Sequence, residues 1–165
     1  MVRTERLHLV PCTPDIVRVM METPHELAPL FQATIPEGWP TPDLKEASSY
    51  FLSRLEEDPL AYVWLIWAIL SEADRSVVGD IGFKGKPDAD GTVEMGYSII
   101  PAFRRRGFAV EAARGLVTWA AGTGEVKTIV AECDSDNIAS IRVLEKLRME
   151  RTHEADNAIR WRLPV

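Results

Sequence analysis

Cysteine is scarce in this chain. Only Cys12 and Cys133 occur, far apart and without Cys-x-x-Cys spacing, which excludes a disulfide framework and a cysteine zinc site and leaves two buried thiols as the expectation. Histidine is equally thin: His8, His25 and His153 stand apart, with no His-Glu-x-x-His spacing, so no metal is expected. No apolar run approaches the roughly 20 residues of a membrane helix. The longest, residues 61–70, carries Trp64 and Trp67 and reads as a buried core strand. Residues 1–6 hold neither an apolar stretch nor a small-residue cleavage site, so export has no support and a cytoplasmic location is expected. Repeats, low-complexity tracts and linker-like stretches are also missing, and 165 residues suit one domain, taken as 1–165. The net charge of −6 speaks against nucleic acid or a membrane surface as partner and for a cationic one.

What is present is strongly patterned. Alternation over residues 6–10 predicts a first strand ended by Pro11, and Thr13-Pro14-Asp15 is a helix start, with the region to Trp39 read as mostly helical. Thr41-Pro42-Asp43 repeats that signal and opens a helix that stops at Asp58-Pro59. Residues 61–70, 76–84 and 92–100 form an antiparallel meander. A helix over about 106–121, a strand at 128–133, a helix over 137–147 and two weaker strands in 150–163 follow. The fold class is therefore α/β (α+β): a mixed, mostly antiparallel sheet with a crossover that leaves part of it parallel, and helices on its faces.

One loop carries chemistry. A strand leads through Pro101 into Arg104-Arg105-Arg106-Gly107-Phe108-Ala109, and a helix follows at once. A helix N-terminus has N–H groups without internal partners and about half a positive charge, so it suits an anion. Gly107 permits unusual backbone angles and close approach of a phosphate, and Ala109 keeps the next position small. Three arginines in an otherwise acidic chain add charge that a diphosphate would neutralise. The bland alternative is a solvated basic turn, since charge runs commonly are. Neither a P-loop nor Gly-x-Gly-x-x-Gly is present.

Arg104-x-x-Gly107-x-Ala109 resembles the Arg/Gln-x-x-Gly-x-Gly/Ala signature of the GNAT acetyltransferase superfamily. Thr4-Glu5-Arg6-Leu7-x-Leu9 resembles the opening of its ribosomal-protein N-acetyltransferase branch, and the segment from Asn137 to Leu147 resembles the second cofactor-proximal motif. The resemblance spans nearly the whole chain. It implies a central sheet of about seven strands, splayed at the cofactor site, and acetyl-coenzyme A as cosubstrate without metal. It also implies transfer of acetyl to a primary amine, either a protein N-terminus or a small molecule, by direct attack in a ternary complex. A non-catalytic acyl-coenzyme A-binding regulatory module of the same fold is the rival reading, and a monomer or homodimer is compatible with either.

Residue by residue, the resemblance assigns the pyrophosphate to the amides of Arg105, Arg106, Gly107, Phe108 and Ala109, with Arg104 opening the motif. A bulged strand around Ser98, Ile99 and Ile100 would pair with pantetheine, and an N–H at Ile99 or Ile100 would polarise the thioester carbonyl. Asn137 is either a cofactor contact or an N-cap, and Ser140 a proton donor or a small packing residue. Glu94, in Val93-Glu94-Met95-Gly96-Tyr97, is a catalytic base or an exposed strand residue; Trp39, in a Pro/Gly loop, lines the acceptor site or packs. Two departures stand out: Leu144 replaces the Tyr that many members use as general acid, and Arg148-Met149 replaces the usual Gly-Phe.

Overall fold

A computed structural model describes all 165 residues. Two strands, β1 (Val2–Arg3) and β2 (Leu7–Pro11), fold back on each other at the N-terminus. Thr13 then caps α1 (Pro14–Glu22), its hydroxyl accepting from the Ile16 N–H at 3.4 Å, and Pro14 sits in the first turn, where a missing N–H leaves no bond unmade. Helix does not persist to Trp39. After a 3-10 turn (Pro24–Leu27) and the single turn α2 (Ala28–Phe31), Gln32 takes a left-handed conformation (φ 50°) and stops it. The helix expected between Thr41 and Asp58 is two, α3 (Pro42–Glu46) and α4 (Ser48–Glu57), offset at Ala47.

Residues 61–70 are only partly strand. The Asp58 carboxylate accepts from the Leu60 N–H at 3.0 Å and starts a 3-10 helix (Pro59–Trp64), which precedes β3 (Ile66–Ser71). An unbroken apolar run has no periodicity with which to separate these two conformations. The remaining elements fall where the sequence puts them: β4 (Ser76–Phe83), β5 (Thr92–Ile99), α5 (Phe108–Gly122), β6 (Thr128–Asp134), α6 (Ile138–Lys146), β7 (Glu150–Ala155) and β8 (Ala158–Pro164).

All strands form one open sheet in the order β1-β2-β3-β4-β5-β6-β8-β7, antiparallel except between β5 and β6. There are eight strands rather than about seven, because β1 is too short to show alternation. Period-2 alternation sends Trp67 and Ile69 of β3 to one face and Ile66, Ala68 and Leu70 to the other. The first face packs under α5 and α6 with Phe83, Leu116, Leu144 and Trp161; the second packs under α1–α4 with Val17, Met20 and Leu55. No helix is long and apolar enough to cross a membrane.

Candidate active site

The sheet opens at its centre. β5 and β6 pair only from Thr92↔Thr128 to Glu94↔Val130; beyond that, β5 stays with β4 while β6 follows β8. The β4–β5 register is unbroken, so the strands part without the bulge expected in β5. Near the ends of that pairing, the Ile100 N–H donates to the Val78 carbonyl at 2.9 Å and the Glu94 carbonyl accepts from the Lys84 N–H at 2.9 Å. Even-numbered residues of β5 thus turn their main-chain groups towards β4, and Tyr97 and Ile99 turn theirs into the gap. Of the three cofactor candidates on this strand, Ile99 alone presents its amide to the gap. The Ile100 N–H is consumed by Val78, and Ser98 faces β4. The Ile99 carbonyl accepts from Arg104 Nε at 2.9 Å, which ties the following loop to the strand edge.

That loop runs from a 3-10 turn (Pro101–Phe103) into α5. Arg105 (φ 64°) and Gly107 (φ 83°) both adopt the left-handed conformation around Arg106, a pattern that turns successive N–H groups to one side. The N–H groups of Arg105, Arg106, Gly107, Phe108, Ala109 and Val110 have no protein acceptor, and Gly107 offers no capping side chain. The three arginines differ in use. Arg104 braces Ile99. Arg106 makes two bonds to Asp74, at 3.1 and 2.9 Å, and stacks on Phe103 and Phe108. That guanidinium, with the Ser71 hydroxyl, holds the Asp74 carboxyl below its usual range. Arg105 alone is exposed and without a protein partner.

Across the gap, Asn137 caps α6, its Oδ1 accepting from the Ser140 N–H at 3.1 Å, while its Nδ2 has no protein acceptor. The cap is therefore made and a donor is left over. Ser140 presents a hydroxyl with no protein partner, and its carbonyl accepts from the Tyr97 hydroxyl at 3.4 Å. Burial pushes that phenol up to about 12. Leu144 is fully buried in the core, and Arg148 takes the left-handed conformation (φ 60°) in which Gly is favoured, so the turn after α6 keeps its form. Cys133 lies on β6 just past the divergence, buried and accepting from Trp161 Nε1.

On the α1–α4 side of β4 and β5 lies a cleft of about 260 Å³. Leu44, Phe51, Leu65 and Ile66 form apolar wall, with Asp80 and Ser98 in the lining and Gly96 on the free-edge strand. Glu94 is partly exposed and ion-paired with Lys84, another lining residue. Trp39 does not line the cleft: it is 1% exposed and packs edge-on against Phe31, because its loop is pinned between core residues. Asp80 gave no signal beyond being one carboxylate in an otherwise apolar strand. It is 7% exposed and accepts from the Ser98 hydroxyl at 2.9 Å and, more weakly, from Thr41 at 3.4 Å. The Trp39 indole N–H lies near this carboxylate but outside hydrogen-bond geometry, and Nε1 has no partner.

The family model for the acetyltransferase (GNAT) domain matches residues 6–150. The chain belongs to the GNAT acetyltransferases. It is, accordingly, an acetyl-coenzyme A-dependent acetyltransferase. The uncharacterized N-acetyltransferase YjdG of Bacillus subtilis is 35% identical over 123 residues, which are 74% of this chain and 73% of YjdG. Solved structures agree on the GNAT fold. A GNAT acetyltransferase from Bacillus anthracis matches with a TM-score of 0.66 at 18% identity, covering 99% of this chain and 97% of its own. The ribosomal alpha-N-protein acetyltransferase RimL scores 0.65 at 16% identity over 100% and 96%, and the microcin self-immunity acetyltransferase MccE, solved with acetyl-coenzyme A and AMP, 0.64 at 14% over 98% and 93%. Within this GNAT chain the N-terminal Thr4-x-Arg6 motif has a structural explanation: both residues bond Glu111 in the first turn of α5, behind the amide-rich loop.

Proposed function

We propose that this protein transfers the acetyl group of acetyl-coenzyme A to a primary amine by direct attack within a ternary complex. The observation that carries the reading is the row of unpaired N–H groups from Arg105 to Ala109 at the start of α5, beside a strand edge with free main-chain groups. Those amides fit a diphosphate, aided by the helix dipole and the free Arg105 guanidinium. The edge at Tyr97 and Ile99 fits the amide-bearing pantetheine arm, and the Asn137 Nδ2 supplies one more donor. When bound, acetyl-coenzyme A supplies an activated acyl group and a thiol leaving group.

The chain's own residues then orient and move protons. The Ile99 N–H faces the gap where it can polarise a carbonyl. Ser140, unbonded and next to the Tyr97 phenol, is the candidate to hand a proton to the sulfur in place of the Tyr that Leu144 replaces. Two carboxylates are candidates for taking the ammonium proton: Asp80, which lines the cleft, and Glu94, which stands outside the lining but is paired with Lys84 in it. The cleft has room for a small amine or the first residues of a peptide, and we assign the acceptor to one of these classes.

Thermal shift with acetyl-coenzyme A, followed by a thiol-release screen over peptide and small amines, tests the reading. Gly107→Asp places a carboxylate among the amides and should abolish the shift, whereas Gly107→Ala carries the same backbone strain at φ 83° without the charge and should keep much of it. An unchanged shift in Gly107→Asp would remove the loop from the cofactor site.

A further inference from the structure

Asp80 is an isolated buried carboxylate. Lysine, arginine and histidine are all beyond ion-pair distance; the Ser98 hydroxyl donates to it at 2.9 Å, and the Thr41 hydroxyl, with one proton to give, donates either to Ser98 at 2.8 Å or to the carboxylate at 3.4 Å. A buried ion without a counter-charge is costly, and structures keep one where something else repays it. Here the cleft opens onto the carboxylate: Asp80 and Ser98 both line it, and Ser98, half-buried, bridges Asp80 to the space above β5. Gly96, two residues before Ser98 on the same face, leaves that space clear, since a Cβ there would meet nothing within 4 Å. Ser98 also precedes Ile99, whose amide faces the gap, so the carboxylate, its bridge and the free strand edge are consecutive features of one site.

We propose that Asp80, bridged by Ser98 and braced by Thr41, receives the acceptor's ammonium and takes its proton, and that the acceptor is a primary amine carried on an apolar chain. The inference rests on the acetyl-transfer reading and adds to it the base and the substrate class. An ammonium supplies the cation that Asp80 lacks, and Leu44, Phe51, Leu65 and Ile66 supply apolar contact for the chain behind it. The protons balance as follows. The ammonium gives one proton to Asp80; the neutral nitrogen bonds to the acetyl carbon as the carbon–sulfur bond breaks; its second proton goes to the sulfur. Asp80 then releases its proton to water through the cleft, so ammonium and thioester become amide, thiol and one free proton.

The surroundings set the working pH. Burial pushes the Asp80 carboxyl up to about 7, against the lowering effect of Ser98, Thr41 and the Trp39 indole, and Asp43 of α3 adds to the rise. The other titratable groups near it are Lys84 and Tyr97 in the cleft lining, Glu94 paired with Lys84, and the Cys12 thiol, which burial pushes up to about 12. A carboxyl poised near neutrality accepts a proton far better than an ordinary aspartate.

The full chain is assayed for thiol release with acetyl-coenzyme A and phenethylamine, Phe-Ala dipeptide or aniline, the last already neutral at the working pH. Acetyl-coenzyme A affinity is measured separately by calorimetry. Asp80→Asn should leave that affinity intact and lower kcat/KM for phenethylamine about 10²–10⁴-fold, with a much smaller loss for aniline, which has no ammonium proton to give. Ser98→Ala, should Asp80→Asn fold poorly, removes a donor that lowers the carboxyl's pKa and should move the acidic limb of the pH profile upward; Glu94→Gln should leave the limb in place. An acidic limb that survives Asp80→Asn, stays put in Ser98→Ala or vanishes in Glu94→Gln overturns the role of Asp80 and leaves acetyl transfer standing. Bound acetyl-coenzyme A with no thiol release from any of the three amines overturns both.

Discussion

Arg6 and Glu111 join the first long strand to the helix behind the candidate phosphate loop. The guanidinium meets the carboxylate at 2.7 Å through both Nε and Nη2, the Arg6 N–H donates to the same carboxylate, and Arg6 Nη1 reaches the Arg106 carbonyl at 3.1 Å. Thr4 adds a further bond to Glu111 at 2.6 Å. The main chain of the loop is thus held from behind by groups that make no use of its outward N–H donors.

Removing that brace should cost stability in a pH-dependent way. Burial raises the Glu111 carboxyl, but the bonds from Thr4 and Arg6 outweigh it and hold the pKa below its ordinary 4.5. A lowered folded-state pKa gives stability that is present above the unfolded value and lost as the pH falls through the folded one. Arg6 is nearly half exposed, so screening weakens the ionic part and the hydrogen bonds carry most of the effect. Glu111→Gln should lower stability by about 1–2 kcal/mol at neutral pH and flatten the loss seen below about pH 4.5. Urea unfolding at several pH values measures both, and an unaltered acid slope would count against the brace.

The arginine triplet should divide by function. Arg105→Glu places a negative charge beside the unpaired amides and should weaken acetyl-coenzyme A binding by about tenfold or more, with little change in melting temperature because the side chain is exposed and bonds to no protein group. Arg106→Ala should do the reverse: it breaks the two bonds to Asp74 and the stacking on Phe108, lowering the melting temperature while leaving binding nearly intact. Calorimetric titration and thermal melts on the same samples compare them.

Arg106 also shows where sequence reading stops. The loop itself was legible, because strand, basic turn, glycine and helix are neighbours in the chain and their chemistry is local. The partner that removes one charge from the triplet, Asp74, lies 32 residues away, and nothing in either segment announces the pairing. Asp80 escaped for the same reason: Ser98 and Thr41 stand 18 and 39 residues from it, so only the folded sheet brings the three together. Of the two roles open to Trp39 the structure shows packing: a Pro/Gly loop is usually exposed, whereas this one is buried with Gly38 close to Ile100. The crossover, the mixed sheet and α5 were readable from periodicity; the 3-10 turn at residues 59–64 and the offset at Ala47 were not, since neither disturbs the spacing of apolar residues enough to register.

Leu144 invites an obvious repair, the reinstatement of Tyr. Its side chain is completely buried among Leu116, Ile141 and Trp161 in the core under α5 and α6. A phenol at this position would have to displace packed neighbours and bury a hydroxyl, so Leu144→Tyr should destabilise by about 1–3 kcal/mol. No gain in turnover should accompany it. Faster thiol release from this variant would show that the proton donor belongs at position 144, and that Ser140 does not supply it.

Asp80 should leave a mark on stability even without substrate. Its carboxyl has an ordinary value of 3.8 and is pushed up to about 7 in the folded chain, chiefly by burial. A raised folded-state pKa means that the native protein holds the proton more tightly than the unfolded one, so the associated stability is full below pH 3.8 and is lost as the pH rises to about 7. Asn has a similar shape and no charge to bury, so Asp80→Asn should match the wild type near pH 4 and exceed it above pH 7, by on the order of 4 kcal/mol. A variant that melts higher at pH 8 yet loses acetyl transfer would identify a charge kept for chemistry at the expense of the fold. Equal stability of the two proteins at pH 8 would mean that the carboxylate is already compensated in the folded chain, and that no incoming ammonium is needed to balance it.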